Sequence, residues 1–229
     1  MARPKIWLSW SSGKDSAWTL HKLRTSGEFE VTALLTTINQ DASRVAMHAV
    51  REELLENQAR AAGVRLVKVP IPTRCSNPVY EAAMAAAVTQ ARAEGVCHMA
   101  FGDLFLENIR RYREEKLCAV GMTPVFPIWG LPTAGLAREM VAAGLRAYLT
   151  CVDPRKLNPS FAGRLFDHQL LDELPAAIDP CGENGEFHSF AFAGPMFSHL
   201  IEAKTGQIVE RDGFVFADVL GESASAALP

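Results

Sequence analysis

The 229-residue sequence has no C-x-x-C pair; its five cysteines, Cys75, Cys97, Cys118, Cys151 and Cys181, are odd in number and widely spaced. That pattern argues against a disulfide framework or a zinc knuckle and makes reduced thiols in a cytoplasm the expectation. There is no long run of Lys and Arg, and the formal net charge is −3, so nothing calls for nucleic acid or an anionic membrane as a partner. No apolar stretch approaches the ~18 residues of a membrane span. The opening "MARPKIWLSW" lacks the long apolar core and small-residue cleavage site of a signal peptide. Internal repeats and low-complexity tracts are missing too. What is present is ordinary for a globular chain: 48% hydrophobic and 21% charged residues, enough to build the core of one large domain or two small ones.

Short apolar runs alternate with amphipathic stretches, the pattern of a parallel sheet wrapped in helices. The spacing predicts strands over 6–10, 31–37, 65–69 and 97–101, and helices over 16–25, 50–62, 77–94 and 107–120. Gly63 and Gly95 stand where helices stop, and Asn77-Pro78 starts the third helix with a cap followed by Pro at its first position. The texture changes near Thr123, where "TPVFPIWGLPT" concentrates proline and the strict alternation ends. A helix over 133–143, a strand over 145–152, a short helix over 166–174 and antiparallel hairpins are expected beyond it. The reading is α/β: a Rossmann-like parallel sheet with flanking helices over 1–128, then a smaller α+β domain over 129–229. The last residues, "GESASAALP", read as a frayed tail.

Between the first strand and the first helix lies "SWSSGKDS", Ser9 to Ser16. A Walker A loop fails twice, because Leu8 stands in place of its first glycine and Asp15 in place of its magnesium-binding hydroxyl. A bare helix cap by Asp15 or Ser16 is the plain alternative. Against it, Lys14 adds a cation where the helix dipole is already positive, which is unfavourable unless an anion arrives. Backbone N–H groups at Ser12 and Gly13, hydroxyls of Ser11, Ser12 and Ser16, and the Lys14 ammonium make an anion cradle. Asp15 within it makes sense beside Mg²⁺. The chemistry points to a pyrophosphate group.

A second stretch, "CGENGEFH" (Cys181 to His188), reads on its own as a two-residue Asn-Gly hairpin. In that hairpin Glu183 and Glu186 face each other, with His188 and Cys181 on the same face of the ribbon. The plain alternative is a solvated hairpin tip. Otherwise the three side chains suit a cationic substrate, activation of ammonia, or general-base work. His21 and His48 read as surface or capping residues, Cys151 and Cys181 as inert, and Trp7, Trp10 and Trp18 as core, with Trp10 a candidate to stack on adenine. Thr36 and Thr37, ending the second strand, would neighbour adenine or ribose at the crevice such sheets present.

"SSGKDS", together with "FGDLFLENIRRYREEKL" (Phe101 to Leu117) and "DPCGENGEFHSF" (Asp179 to Phe190), resembles the PP-loop ATP pyrophosphatases of the adenine-nucleotide alpha hydrolase superfamily. Within them the chain is similar to the diphthine–ammonia ligase family and its bacterial relatives, to about Phe197. The resemblance implies ATP and Mg²⁺, a carboxylate substrate that is small or protein-borne, and ammonia. The carboxylate attacks the α-phosphorus to give an acyl-adenylate and pyrophosphate; ammonia then displaces AMP. By position, Ser11, Gly13, Lys14, Asp15 and Ser16 match the loop, while Ser12 replaces its first glycine. Gly102, Arg110 and Glu114 match the second motif, Asp103 and Tyr112 depart from it, and Ser189 replaces a threonine. The resemblance thus assigns nucleotide binding to Ser11 to Ser16, Gly102, Asp103 and Arg110, and catalysis to Lys14, Glu183, Glu186 and His188. A homodimer is admitted as the assembly. A tRNA thiolase with a PP-loop would want a cysteine pair and a basic surface, which are lacking. A nucleotide-binding regulator without turnover stays open as the alternative.

Overall fold

The computed structural model describes residues 2–40, 50–73 and 75–221, and the backbone of 44–45. The first strand, β1 (Lys5–Ser9), buries Ile6, Trp7 and Leu8 completely, as a strand covered on both faces must. After it come α1 (Lys14–Ser26), β2 (Glu30–Asn39), β3 (Arg44–Val45), α2 (Glu52–Ala62), β4 (Arg65–Ile71), α3 (Asn77–Ala93), β5 (His98–Ala100), α4 (Glu107–Cys118) and β6 (Thr123–Val125). Five of the strands pair in parallel in the order β4-β2-β1-β5-β6, with β3 adding antiparallel to the end of β2. The strand order reverses between β1 and β5. In an open parallel sheet the ligand crevice opens at the carboxyl ends of the strands flanking that reversal.

The pleat divides the core. Ile6, Leu8 and Leu34 pack with α1 and α2 on one face, while Trp7, Ala33 and Leu35 pack with α3 and α4 on the other. Beyond β6 follow α5 (Thr133–Ala142), β7 (Arg146–Val152), α6 (His168–Glu173), β8 (Phe187–Ala193), β9 (Ala203–Arg211) and β10 (Phe214–Gly221). These last four strands form an antiparallel sheet in the order β8-β7-β10-β9. Leu149, Phe166 and Phe190 from this part lie in the same apolar cluster as Ile6, Leu8 and Trp18. Each such side chain, fully buried, stabilises the fold by roughly 1.5–3 kcal/mol. No helix among the described residues is long and apolar enough to cross a membrane.

The architecture matches the α/β expectation, with two corrections. The proline-rich run contains a short sixth strand of the first sheet, β6, whose three residues around Pro124 are too few to show periodicity. The Asn-Gly pair does not head a two-residue hairpin. Gly182 and Gly185 both take positive φ, 72° and 78°, and the Gly185 N–H donates to the Gly182 carbonyl at 3.0 Å, closing a four-residue turn. The strand that follows, β8, pairs with β7 and not with the residues just before the turn. His48 and nearly all of the expected tail lie outside the described residues.

Candidate active site

The loop after β1 turns at Ser12, whose φ of 68° is left-handed. Its carbonyl accepts from Gln58 Nε2 at 2.8 Å and from the Ala191 N–H at 3.0 Å, which fixes the turn against α2 and β8. Gly13 then caps α1, and its own N–H donates to Ser11 Oγ at 3.3 Å. The Lys14 N–H donates to Ser189 Oγ at 3.2 Å. Helix geometry leaves the N–H groups of Asp15 and Ser16 without intrahelical partners, so the first turn of α1 presents donors and positive dipole together. Ser11 Oγ and Ser16 Oγ lie 3.2 Å apart at its mouth.

Lys14 is 1% exposed. Its Nζ bonds Asp15 Oδ1 at 3.0 Å and Oδ2 at 2.8 Å, donates to the Cys181 carbonyl, and lies over the rings of Phe166 and Phe187 at 5.4 and 5.3 Å. Burial alone would lower its pKa, but Asp15, Cys181 and Asp179 more than offset this and hold the ammonium above its ordinary range. Lys14 is therefore a fixed cation at the helix N-terminus.

The first turn of α1 forms one wall of a cavity of about 280 Å³ at the ends of β1 and β5. Ser9, Ser11, Lys14, Asp15 and Ser16 line that wall; Phe101, Gly102, Asp103 and Arg113 line the second; Glu183, His188 and Ser189 line the third. Gly102 is required for the approach of the walls, since a Cβ there would stand 3.0 Å from the Asp15 carbonyl carbon and 3.1 Å from Ser16 N. Asp103 and Arg113 form an ion pair at 2.6 Å, and the Arg113 guanidinium lies 4.2 Å from the Phe101 ring centre.

Glu183 Oε1 accepts from the Leu104 N–H at 2.8 Å, tying the turn to the loop after β5. Burial pushes its carboxyl up to about 7; the Leu104 N–H opposes this, and Asp15 and Asp103 add to it. Burial, and then Lys14, push His188 down to about 4, so its ring is neutral at pH 7. A carboxyl titrating near neutrality, in a cavity that a neutral imidazole also lines, can take or release protons there.

The structure thus brings together all of the predicted loop residues except Ser12 and Gly13, which shape the loop from behind, along with Gly102, Asp103, Glu183 and His188. Glu186 does not share a face with Glu183. It is 3% exposed, its Oε1 accepts from Asp179 N at 3.2 Å and Asn184 Nδ2 at 3.1 Å, and it braces the turn from inside. Arg110 is also outside the cavity, paired with Glu114 at 2.8 Å and placed on Phe126 and Trp129 at 5.0 and 4.8 Å. Thr36 donates to the Trp10 carbonyl at 2.7 Å, and neither it nor Thr37 lines this cavity. Trp10 is buried, donating Nε1 to Gln58 Oε1 at 2.9 Å. Arg113 was missed, although one helical turn from Arg110 is a signal that spacing alone could have raised.

Comparison with known proteins places these features in one family. Residues 5–124 match the diphthamide synthase N-terminal domain and residues 132–218 its C-terminal domain. A diphthine–ammonia ligase of Danio rerio is 30% identical over 122 residues, 50% of this chain and 47% of the relative. That of Rattus norvegicus is 28% identical over 120 residues, 50% and 45% of the two. The matched stretch spans about half the length of these curated relatives. A solved structure described as a predicted tRNA methyltransferase subunit from Methanocaldococcus jannaschii aligns at 13% identity with a TM-score of 0.43, covering 84% of this chain and 98% of the other. With both halves matched in order, the chain belongs to the diphthamide synthase family.

Proposed function

We propose that the protein is an ATP-dependent ligase that adenylates a carboxylic acid, releases pyrophosphate and joins the acyl group to ammonia. The observation that carries this reading is that the first turn of α1, with Lys14 and Asp15, faces Glu183 and His188 across one cavity at the strand-order reversal. In this reading Ser11, Ser16, Lys14 and the free N–H groups of the first turn hold the β- and γ-phosphates and stabilise the leaving pyrophosphate. The nucleoside lies toward the end of β2, where Thr36 and Thr37 stand.

The residues fit a magnesium ion of the kind carried by phosphates. Among the described residues no three His, Cys, Asp or Glu side chains gather to form a cage, and Asp15 is the carboxylate nearest the anion cradle. Asp15 would hold Mg²⁺, with the nucleotide supplying most other ligands, and the ion would neutralise phosphate charge. Glu183 takes the proton lost as ammonia attacks the acyl carbon, and His188, neutral at pH 7, lines the same cavity as a second proton acceptor. Glu186 acts through the turn that positions Glu183. We also propose a division near residue 128, with the ATP site mainly before it and the groups that serve the ammonia step, Glu183 and His188, after it.

The test is to incubate the protein with ATP, Mg²⁺, ammonium and candidate acids and to measure AMP and pyrophosphate. In parallel, calorimetry with a non-hydrolysable ATP analogue compares wild type with Lys14→Ala. Loss of the ammonium should weaken binding by roughly 1.5–3 kcal/mol, the scale of a charge-assisted hydrogen bond. Unchanged affinity would remove the loop from the nucleotide site.

A further inference from the structure

A second cavity, also of about 280 Å³, lies between α3 and α4 and shares Phe101 with the active-site cavity. Tyr80, Met84 and Val88 of α3, Tyr112 and Leu117 of α4, and Met99 of β5 line it. Phe101 and Arg113 line both cavities, so one ring and one guanidinium are all that the two named walls share. At its edge Lys116 Nζ pairs with Glu81 at 2.7 Å and lies 5.7 Å from the centre of the Tyr112 ring. Tyr112 itself is 42% exposed, large for an aromatic side chain at the mouth of an apolar hollow.

The two cavities differ in chemistry. The first carries Lys14, Asp15, Asp103, Glu183 and His188; the second is lined by thioethers, aliphatic chains and two phenol rings, with charge only at its rim and at Arg113. An amphiphilic ligand spanning both would place its charged end among the polar groups and its body among the apolar ones, with Arg113 at the junction. Ligand sites combine such an apolar lining with a few fixed polar groups. Arg113 is suited to the junction because Asp103 and the Phe101 face hold its guanidinium in place while its fork offers further N–H donors.

We propose that the α3–α4 cavity binds the apolar body of the acid substrate, and that Arg113 holds the substrate carboxylate at the boundary with the ATP site. This rests on the ligase reading and narrows its substrate to a carboxylic acid bearing an aromatic or branched aliphatic group. A small hydrophilic acid would leave the cavity unfilled, and its contacts would be made by water on an apolar lining.

The experiment uses 3-phenylpropionate, its neutral amide and acetate as probes, titrated into the full chain without nucleotide and followed by ligand-observed NMR. Ala85→Phe fills the cavity from an exposed helical position that lines it. Wild type should bind 3-phenylpropionate in clear preference to acetate, and Ala85→Phe should lose about tenfold or more in affinity, the scale of one lost apolar subsite. Arg113→Gln should lose about tenfold for the acid and little for the amide, the signature of a charge-assisted bond. Calorimetry with the ATP analogue and a thermal melt on both variants separate this from misfolding and from failure of the ATP reading. Failure of wild type to bind 3-phenylpropionate, or equal binding by wild type and Ala85→Phe, overturns the proposal even where ATP binds. Loss of ATP binding in wild type overturns the ligase reading instead.

Discussion

At the scale of single residues, Glu183 and His188 pull the pH dependence of stability in opposite directions. Glu183 holds its proton up to about 7 when folded, against an ordinary value of 4.5, so its contribution is complete below about 4.5 and is lost as pH rises through about 7. His188 resists protonation down to about 4, against 6.5, so its contribution is present above about 6.5 and is lost as pH falls toward about 4. The two offset each other between. Glu183→Gln keeps an oxygen for the Leu104 N–H and removes only the titration. Denaturant unfolding should find this variant gaining on wild type as pH rises from 5 to 8; an equal difference at both pH values would place the carboxyl in an ordinary solvated setting. Ser12 supplies a second case. It holds a left-handed φ of 68°, and its buried Oγ has no hydrogen-bond partner among the described residues. Ser12→Gly should therefore stabilise by up to about 1 kcal/mol, with the left-handed penalty removed and only glycine's extra unfolded-state freedom against it. A lower midpoint in a thermal melt would show that the hydroxyl holds the loop together.

Among elements, the fit between α1 and the loop after β5 decides the shape of the site. Gly102→Ala would drive a Cβ to 3.0 Å from the Asp15 backbone, and neither backbone can yield without moving the first turn of α1. The overpacking should cost about 1–3 kcal/mol, or roughly 2–4 °C of melting temperature per kcal/mol for a chain of this size. The shift produced by Mg·ATP should shrink too, which a melt with and without nucleotide reads directly. The strands and helices of the first part were legible because apolar periodicity and Gly or Pro punctuation are local signals. Gly63, for example, ends α2 in the left-handed conformation its position implied. The loop between β1 and α1 stood out in the sequence because Lys14 at a helix start is costly without an anion, and the structure places Lys14 in the first turn of α1. The Glu183–Glu186 relation was not. Two glycines with positive φ and pairing of β8 with β7 turn the side chains apart, and that pairing partner lies more than thirty residues upstream. Arg110 and Arg113 were likewise indistinguishable in sequence; only the rings of Phe126, Trp129 and Phe101 sort one away from the cavity and the other into it.

Taken whole, the molecule has a sheet for each half and one apolar cluster running through both, with Leu8 and Trp18 packed in the same set as Phe166 and Phe190. Residues 1–128 expressed alone would lose the part of the shared apolar cluster supplied by Leu149, Phe166 and Phe190 and leave the loop without Ala191, Ser189 and the Cys181 carbonyl. That fragment should lack a cooperative unfolding transition and should not bind Mg·ATP; a sharp melt together with calorimetric binding would show the halves to be independent. The anchoring of the loop has a consequence in time as well as in space. The Lys14 N–H finds its partner 175 residues further along the chain. Contacts so distant in sequence must wait for the largest loop closures and form slowly. On the ribosome, where a chain emerges from its N-terminal side, the residues that would grip phosphate are made well before the turn at 182–185 and β8, yet their geometry is fixed only after both have emerged. Under the proposed reading a nascent chain carries the recognisable loop well before it has a working anion site, and competence arrives with the docking of β8.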